Sequence, residues 1–131
     1  MGYKDLDVWK MSMDLVVDLY EVTAEFPDDE KFGLISQIRR AAVSIPANIA
    51  EGYGRKTPRS YSQFLRISKG SVNELETLLI IASRLGLLDD PESWQERTAK
   101  IGSMLTNLKT TVEGNIVREI SAMYGDENDE D

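Results

Sequence analysis

The chain has 131 residues and a net charge of −8, with 41% hydrophobic and 29% charged residues. Those values suit one globular domain with an ordinary core rather than a disordered chain. Cysteine and histidine are both absent, which excludes disulfides, thiol nucleophiles, imidazole bases and any zinc, haem or di-iron site built on those groups.

Apolar residues recur with a 3.6-residue period along most of the chain, and no strand alternation appears. The first helix is expected from about Asp5 to Glu25, with Trp9, Met13, Val16, Leu19 and Tyr20 as its core stripe and Phe26-Pro27 as its stop. The second is expected from about Lys31 to Gly52, on Leu34, Ile38, Ala41, Ile45 and Ile49. Pro46 cannot donate to the carbonyl of Ala42, so a kink or a split is expected there. The third helix opens with Thr57 as N-cap and Pro58 in the first turn. It runs on Tyr61, Phe64, Leu65, Ser68, Val72, Leu75, Leu79 and Ala82 to a C-terminal cap at Gly86. Within it, Gly70-Ser71 would let another backbone approach closely. The fourth helix starts at Asp90-Pro91-Glu92 and continues towards residue 123 on Trp94, Ile101, Leu105, Leu108, Val112 and Ile120.

Four such helices with short connections predict an all-α, up-down antiparallel four-helix bundle over residues 1–124. From residue 125 the chain is acidic and polar, and a disordered tail is expected over 125–131. The longest strongly apolar run, Leu78 to Ala82, is far too short for a membrane span. The N-terminus lacks the apolar stretch of a signal peptide. A cytoplasmic protein without membrane partner is the expectation.

Helix two carries two further patterns. Gln37, Arg40, Ser44, Asn48, Glu51 and Arg55 are spaced 3, 4, 4, 3 and 4 residues apart, which puts all six on one face. This polar stripe is either a satisfied structural network or a partner-binding line. Glu51 has no second carboxylate or nucleophile beside it in the sequence, so no catalytic residue is assigned, and no enzyme activity, metal or cofactor is expected. Val43, Ala47 and Ala50 lie off the core stripe, as do Leu78 and Ile81 of helix three. That surplus apolar surface predicts a homo-oligomer interface.

Charge is unevenly spread. Residues 31–73 hold eight bases and one acid, giving +7, while the other 88 residues carry −15. Arg55, Lys56 and Arg59 surround the connection between helices two and three, Arg66 and Lys69 follow, and Tyr53 and Tyr61 offer rings for stacking. Nucleic-acid binding, intersubunit ion pairing and a merely solvated face are the readings left open.

The run from Gln37 to Gly52, with Gly54-Arg55, Phe64 to Ser71, Glu74 to Thr77 and Asp5 to Lys10, resembles the bacterial 23S rRNA-intervening-sequence proteins over about residues 3–120. The resemblance implies a four-helix bundle assembling as a ring, a homopentamer, of undefined cellular role. It also implies kinship with accessory proteins of diversity-generating retroelements, which bind a reverse transcriptase and nucleic acid.

Overall fold

Helix boundaries follow local capping chemistry. In the computed structural model, which describes residues 2–30 and 32–129 with side chains as far as 124, α1 spans Asp7–Thr23, α2 Leu34–Tyr53, α3 Pro58–Arg84 and α4 Pro91–Asp129. The residues between α1 and α2 include a short 3-10 turn, Asp28–Glu30. The Glu30 carboxylate accepts the Leu34 amide at 3.3 Å, meeting one of the unpaired donors that open α2. Thr57 caps α3 by accepting the Ser60 amide at 3.2 Å, and Asp90 does the same for Ser93 at 3.3 Å. At the end of α3, Gly86 has φ +76°, the Leu87 amide reaches the Ala82 carbonyl at 2.9 Å, and the Gly86 amide reaches Ser83 at 3.0 Å. This paired closure needs a residue tolerant of the left-handed region, and glycine fills it.

No strand occurs among the described residues. The four helices pack as sequential neighbours, α1 on α2, α2 on α3 and α3 on α4, with α1 meeting α4. The bundle core is lined by Leu15 and Leu19 of α1, Ile38, Ile45 and Ile49 of α2, Leu65, Leu75 and Leu79 of α3, and Ile101 and Leu105 of α4. The Arg97 guanidinium meets the Asp18 carboxylate at 2.8 Å, an ion pair between α4 and α1. None of the described helices is long and apolar enough to cross a membrane.

One expectation is corrected here and two are narrowed. In α1 the buried face is Val8, Ser12, Leu15, Leu19 and Thr23. Of the expected stripe only Leu19 is in the core. Met13 and Tyr20 are exposed, and Trp9 and Val16 half-buried, on the flank beside it. Of the kink or split expected in α2, the split does not occur, since the helical backbone runs unbroken through Pro46. Side chains supply donors to nearby carbonyls: the Asn48 amide donates to the Ser44 carbonyl at 2.8 Å, and Ser68 of α3 to that of Ile45 at 2.9 Å. Gly70 is not a close-approach point within the subunit, since a Cβ there would meet nothing within 4 Å. Gly70→Ala should therefore raise stability by about 1 kcal/mol through helix propensity alone. A denaturant melt reads this directly, and a loss instead would mean that a second chain packs on Gly70.

Helical backbone continues to Asp129. The side chains of the expected acidic tail, 125–131, lie outside the described residues.

Candidate functional site

The polar stripe of α2 divides into a buried centre and wet ends. At the centre the Ser44 and Ser71 hydroxyls pair at 2.8 Å across the α2–α3 contact. Asn48 donates to the Ser44 hydroxyl at 2.9 Å and to the Ser44 carbonyl, and Ser71 donates to the Ile67 carbonyl at 3.2 Å. The two hydroxyls and the Asn48 amide nitrogen thus all have partners, as groups in a part-buried contact require. Gln37 and Arg40 at one end and Glu51 and Arg55 at the other are exposed. Glu51 and Arg55 form an i,i+4 ion pair at 2.6 Å in solvent, an arrangement of small energetic value. Asn48→Leu should cost about 1 kcal/mol, because Ser44 keeps Ser71 when Asn48 is lost. Equilibrium unfolding of the variant measures this, and an unchanged midpoint would show that Asn48 contributes nothing to the network.

The five bases of the second candidate site do not share one environment. Arg55 is engaged with Glu51, and its guanidinium lies 4.7 Å from the Phe64 ring centre. Lys69 is half-buried and lies along α4, its Nζ 2.8 Å from where a Cβ on Gly102 would stand. Lys56 is exposed in the α2–α3 connection. Arg59 and Arg66 line one shallow groove with Thr57, Ser62, Gln63 and Glu113. A carboxylate sits in that groove. Glu113 accepts from Lys109 at 2.7 Å and from Ser62 at 3.2 Å. The Lys109 hydrogen bond, chiefly, holds its carboxyl below the usual range, with Ser62 and the charges of Lys109 and Arg66 assisting.

The tyrosines expected to stack on bases are occupied with each other. Tyr53 meets Tyr61 edge-on at 5.9 Å and Tyr3 at 6.5 Å, and Tyr3 meets Trp9 at 5.5 Å. The Tyr61 hydroxyl is buried without a partner among the described residues. Burial, helped by Tyr53, pushes its pKa up to about 12. Among the described residues, no group of three or more acidic side chains is placed to hold a metal ion.

The expected interface residues are also sorted by the fold. Val43 and Ile81 are each 42% exposed, Ala47 is exposed and Ala50 half-buried. Leu78 is corrected: at 7% exposure it belongs to the subunit's own core and offers no free surface.

Two features were not anticipated. One is a groove of about 480 Å³ between α1 and the first half of α2, lined by Tyr20, Ile35, Ser36, Arg39, Arg40 and Val43, with Phe32 at its rim. Arg39 forms part of its wall, donating to the Thr23 hydroxyl at 2.9 Å and the Tyr20 carbonyl at 3.1 Å with its guanidinium 4.4 Å from the Tyr20 ring centre. The signal for it in the sequence was the doubled Arg39-Arg40 within one turn of Val43. The other is the apolar run Ile116, Val117, Ile120, Met123 and Tyr124 near the end of α4, exposed apart from the half-buried Ile116, so that Ile120, expected in the core stripe of that helix, is corrected to the surface.

Comparison with known proteins agrees with this architecture. A crystal structure from Bacteroides thetaiotaomicron VPI-5482, described as a protein of unknown function from the S23 ribosomal protein family, superposes with a TM-score of 0.73 at 24% identity, covering 79% of this chain and 95% of that one. That likeness shows the fold. No match is found among proteins with curated descriptions. The family model of the 23S rRNA-intervening sequence proteins matches residues 4–107, so the chain belongs to that family.

Proposed function

We propose that the protein is a non-enzymatic, homo-oligomeric four-helix-bundle scaffold of the cytoplasm. It presents a ring of subunits, five as the family resemblance implies, with α2 bent at Pro46. The observation that carries this reading is the apolar flank left open by the bundle. Met13, Val17 and Tyr20 of α1 and Val43 of α2 are all exposed, with Ala47 beside them on the outer face of α2, and Ile67 and Ile81 of α3 are exposed as well. A monomer seldom leaves so many large apolar side chains on adjoining helices in water. A second copy of the chain covers them. Light scattering at micromolar concentration should return a multiple of 14.8 kDa, and a mass of one chain would refute the scaffold.

The second reading is a nucleic-acid-binding accessory factor using the basic segment 31–73. It is favoured by one observation, the shared groove of Arg59 and Arg66 at the start of α3. Glu113 in the same groove and the turn of Lys69 onto α4 weigh against it. A retardation assay across a salt series separates the readings. Replacing Arg55, Lys56 and Arg59 with alanine should flatten the salt dependence by about 0.9 log unit per lost phosphate contact on duplex DNA. No retention at low salt leaves the scaffold alone.

A further inference from the structure

The last turns of α4 form an apolar surface that the bundle itself does not cover. Ser62, in the first turns of α3, bonds Glu113, so beyond about residue 117 the fourth helix outruns its neighbour. The twelve residues to Asp129 extend about 18 Å at 1.5 Å per residue. Along this overhang Val117 is 62% exposed, Met123 74% and Tyr124 60%. Their spacing, with Ile116 and Ile120, gathers them on one helical face. The overhang lies beyond residues 4–107, the part of the chain that the family model matches.

We infer that this overhang is a docking helix, and that its seat is the groove of Tyr20, Ile35, Ser36, Arg39, Arg40 and Val43 on a second copy of the chain. The inference rests on the homo-oligomer reading and names which part of the second copy covers the Val43 end of the open flank. Charge selects this occupant. Residues 114–131 carry six acids and one base, a net −5. Two overhangs laid against each other would therefore repel. The groove offers the opposite sign: Arg39 bonds only neutral oxygens, and neither it nor Arg40 is ion-paired among the described residues. Shape and polarity agree as well. A groove of about 480 Å³ walled by Tyr20, Ile35 and Val43 takes several side chains of an apolar helix face. Its arginines then meet Glu119, the acid that borders that face. Within one subunit the two surfaces cannot meet, since the groove lies at the α1–α2 connection and the overhang leaves the opposite end of the bundle.

The absence of cysteine makes a direct test available. Full-length Val43→Cys and full-length Ile120→Cys proteins are mixed and oxidised, with Thr77→Cys, exposed on α3, in place of Val43→Cys as the collision control. The expected result is a disulfide-linked pair of one chain of each kind, formed well above the control. Its yield should fall several-fold when the exposed Arg40 is changed to Glu, and likewise in about 1 M salt, where screening shortens the Debye length to about 3 Å. A predominance of linked Ile120→Cys chains with each other, a yield equal to the control, or no response to Arg40→Glu overturns the inference. Light scattering of the unlinked proteins tells its failure from that of the scaffold. A multiple of 14.8 kDa without the Val43–Ile120 link removes the docking helix alone, and a single-chain mass removes both.

Discussion

Gly52→Val should cost about 3 kcal/mol and splay the end of the bundle where α2 meets the start of α3. A Cβ on Gly52 would stand 2.7 Å from the Cβ of Phe64, 3.0 Å from Cδ1 of Tyr61 and 3.3 Å from the Tyr61 carbonyl oxygen. The Phe64 Cβ is fixed to the α3 backbone and cannot swing aside, so the helices themselves must separate. Overpacking of that kind costs about 1–3 kcal/mol for extra methylenes, and valine adds three carbons. Gly52→Ala is the milder case, because its clash is partly offset by about 1 kcal/mol of helix propensity. Gly102 supplies the contrast. Its nearest neighbour, at 2.8 Å, is the mobile Nζ of Lys69, with Val72 at a comfortable 3.6 Å. Gly102→Ala should therefore be near neutral, the lysine moving its tip at little cost. Denaturant melts at matched protein concentration compare the three. Equal losses at Gly52 and Gly102 would show that the tight α2–α3 approach does not constrain the fold.

That approach also explains what the sequence could and could not convey. Helix α2 was legible because its core positions are aliphatic or alanine at regular spacing: Leu34, Ile38, Ala41, Ile45 and Ile49 are all buried. The caps of α3 were legible because Thr57, Pro58 and Gly86 each have one local role. Helix α1 misled for a physical reason. Its core face includes Ser12 and Thr23, whose hydroxyls return to carbonyls of their own helix, to Trp9 at 2.9 Å and to Leu19 at 2.6 Å. Polar residues satisfied in that way are buried cheaply, so a count of apolar residues favours the wrong flank. The residues it favoured, Trp9, Met13, Val16 and Tyr20, border the surface that the oligomer proposal uses. The stripe on α2 was visible as a line of polar residues. Its division into a bonded centre and wet ends depends on Ser71, which the sequence places 27 residues from Ser44. Leu78 follows Ser71, which meets Ser44 of α2, by two helical turns, and only the packing of the bundle decides that it is covered.

Ala47→Glu should dissociate the assembly while leaving each subunit folded. Ala47 is exposed on the outer face of α2, between Val43 and the α2–α3 contact, and its side chain takes no part in the bundle core. In an isolated subunit glutamate there stays in water, and its helix propensity is only a few tenths of a kcal/mol below that of alanine. In the assembly the same carboxylate would be held against the apolar residues of a second copy, where an unpaired charge costs several kcal/mol. Because a cyclic assembly repeats every contact, each interface carries the penalty and the ring loses all of them together. Light scattering should then fall to a single chain of 14.8 kDa, with the far-ultraviolet helical signal retained. Ala47→Ser, small and neutral, should keep the native mass. If Ala47→Glu keeps it too, the Val43–Ala47 face of α2 is not where the subunits meet, and the contact must be sought on Ile67 and Ile81 of α3, which are exposed in the same subunit.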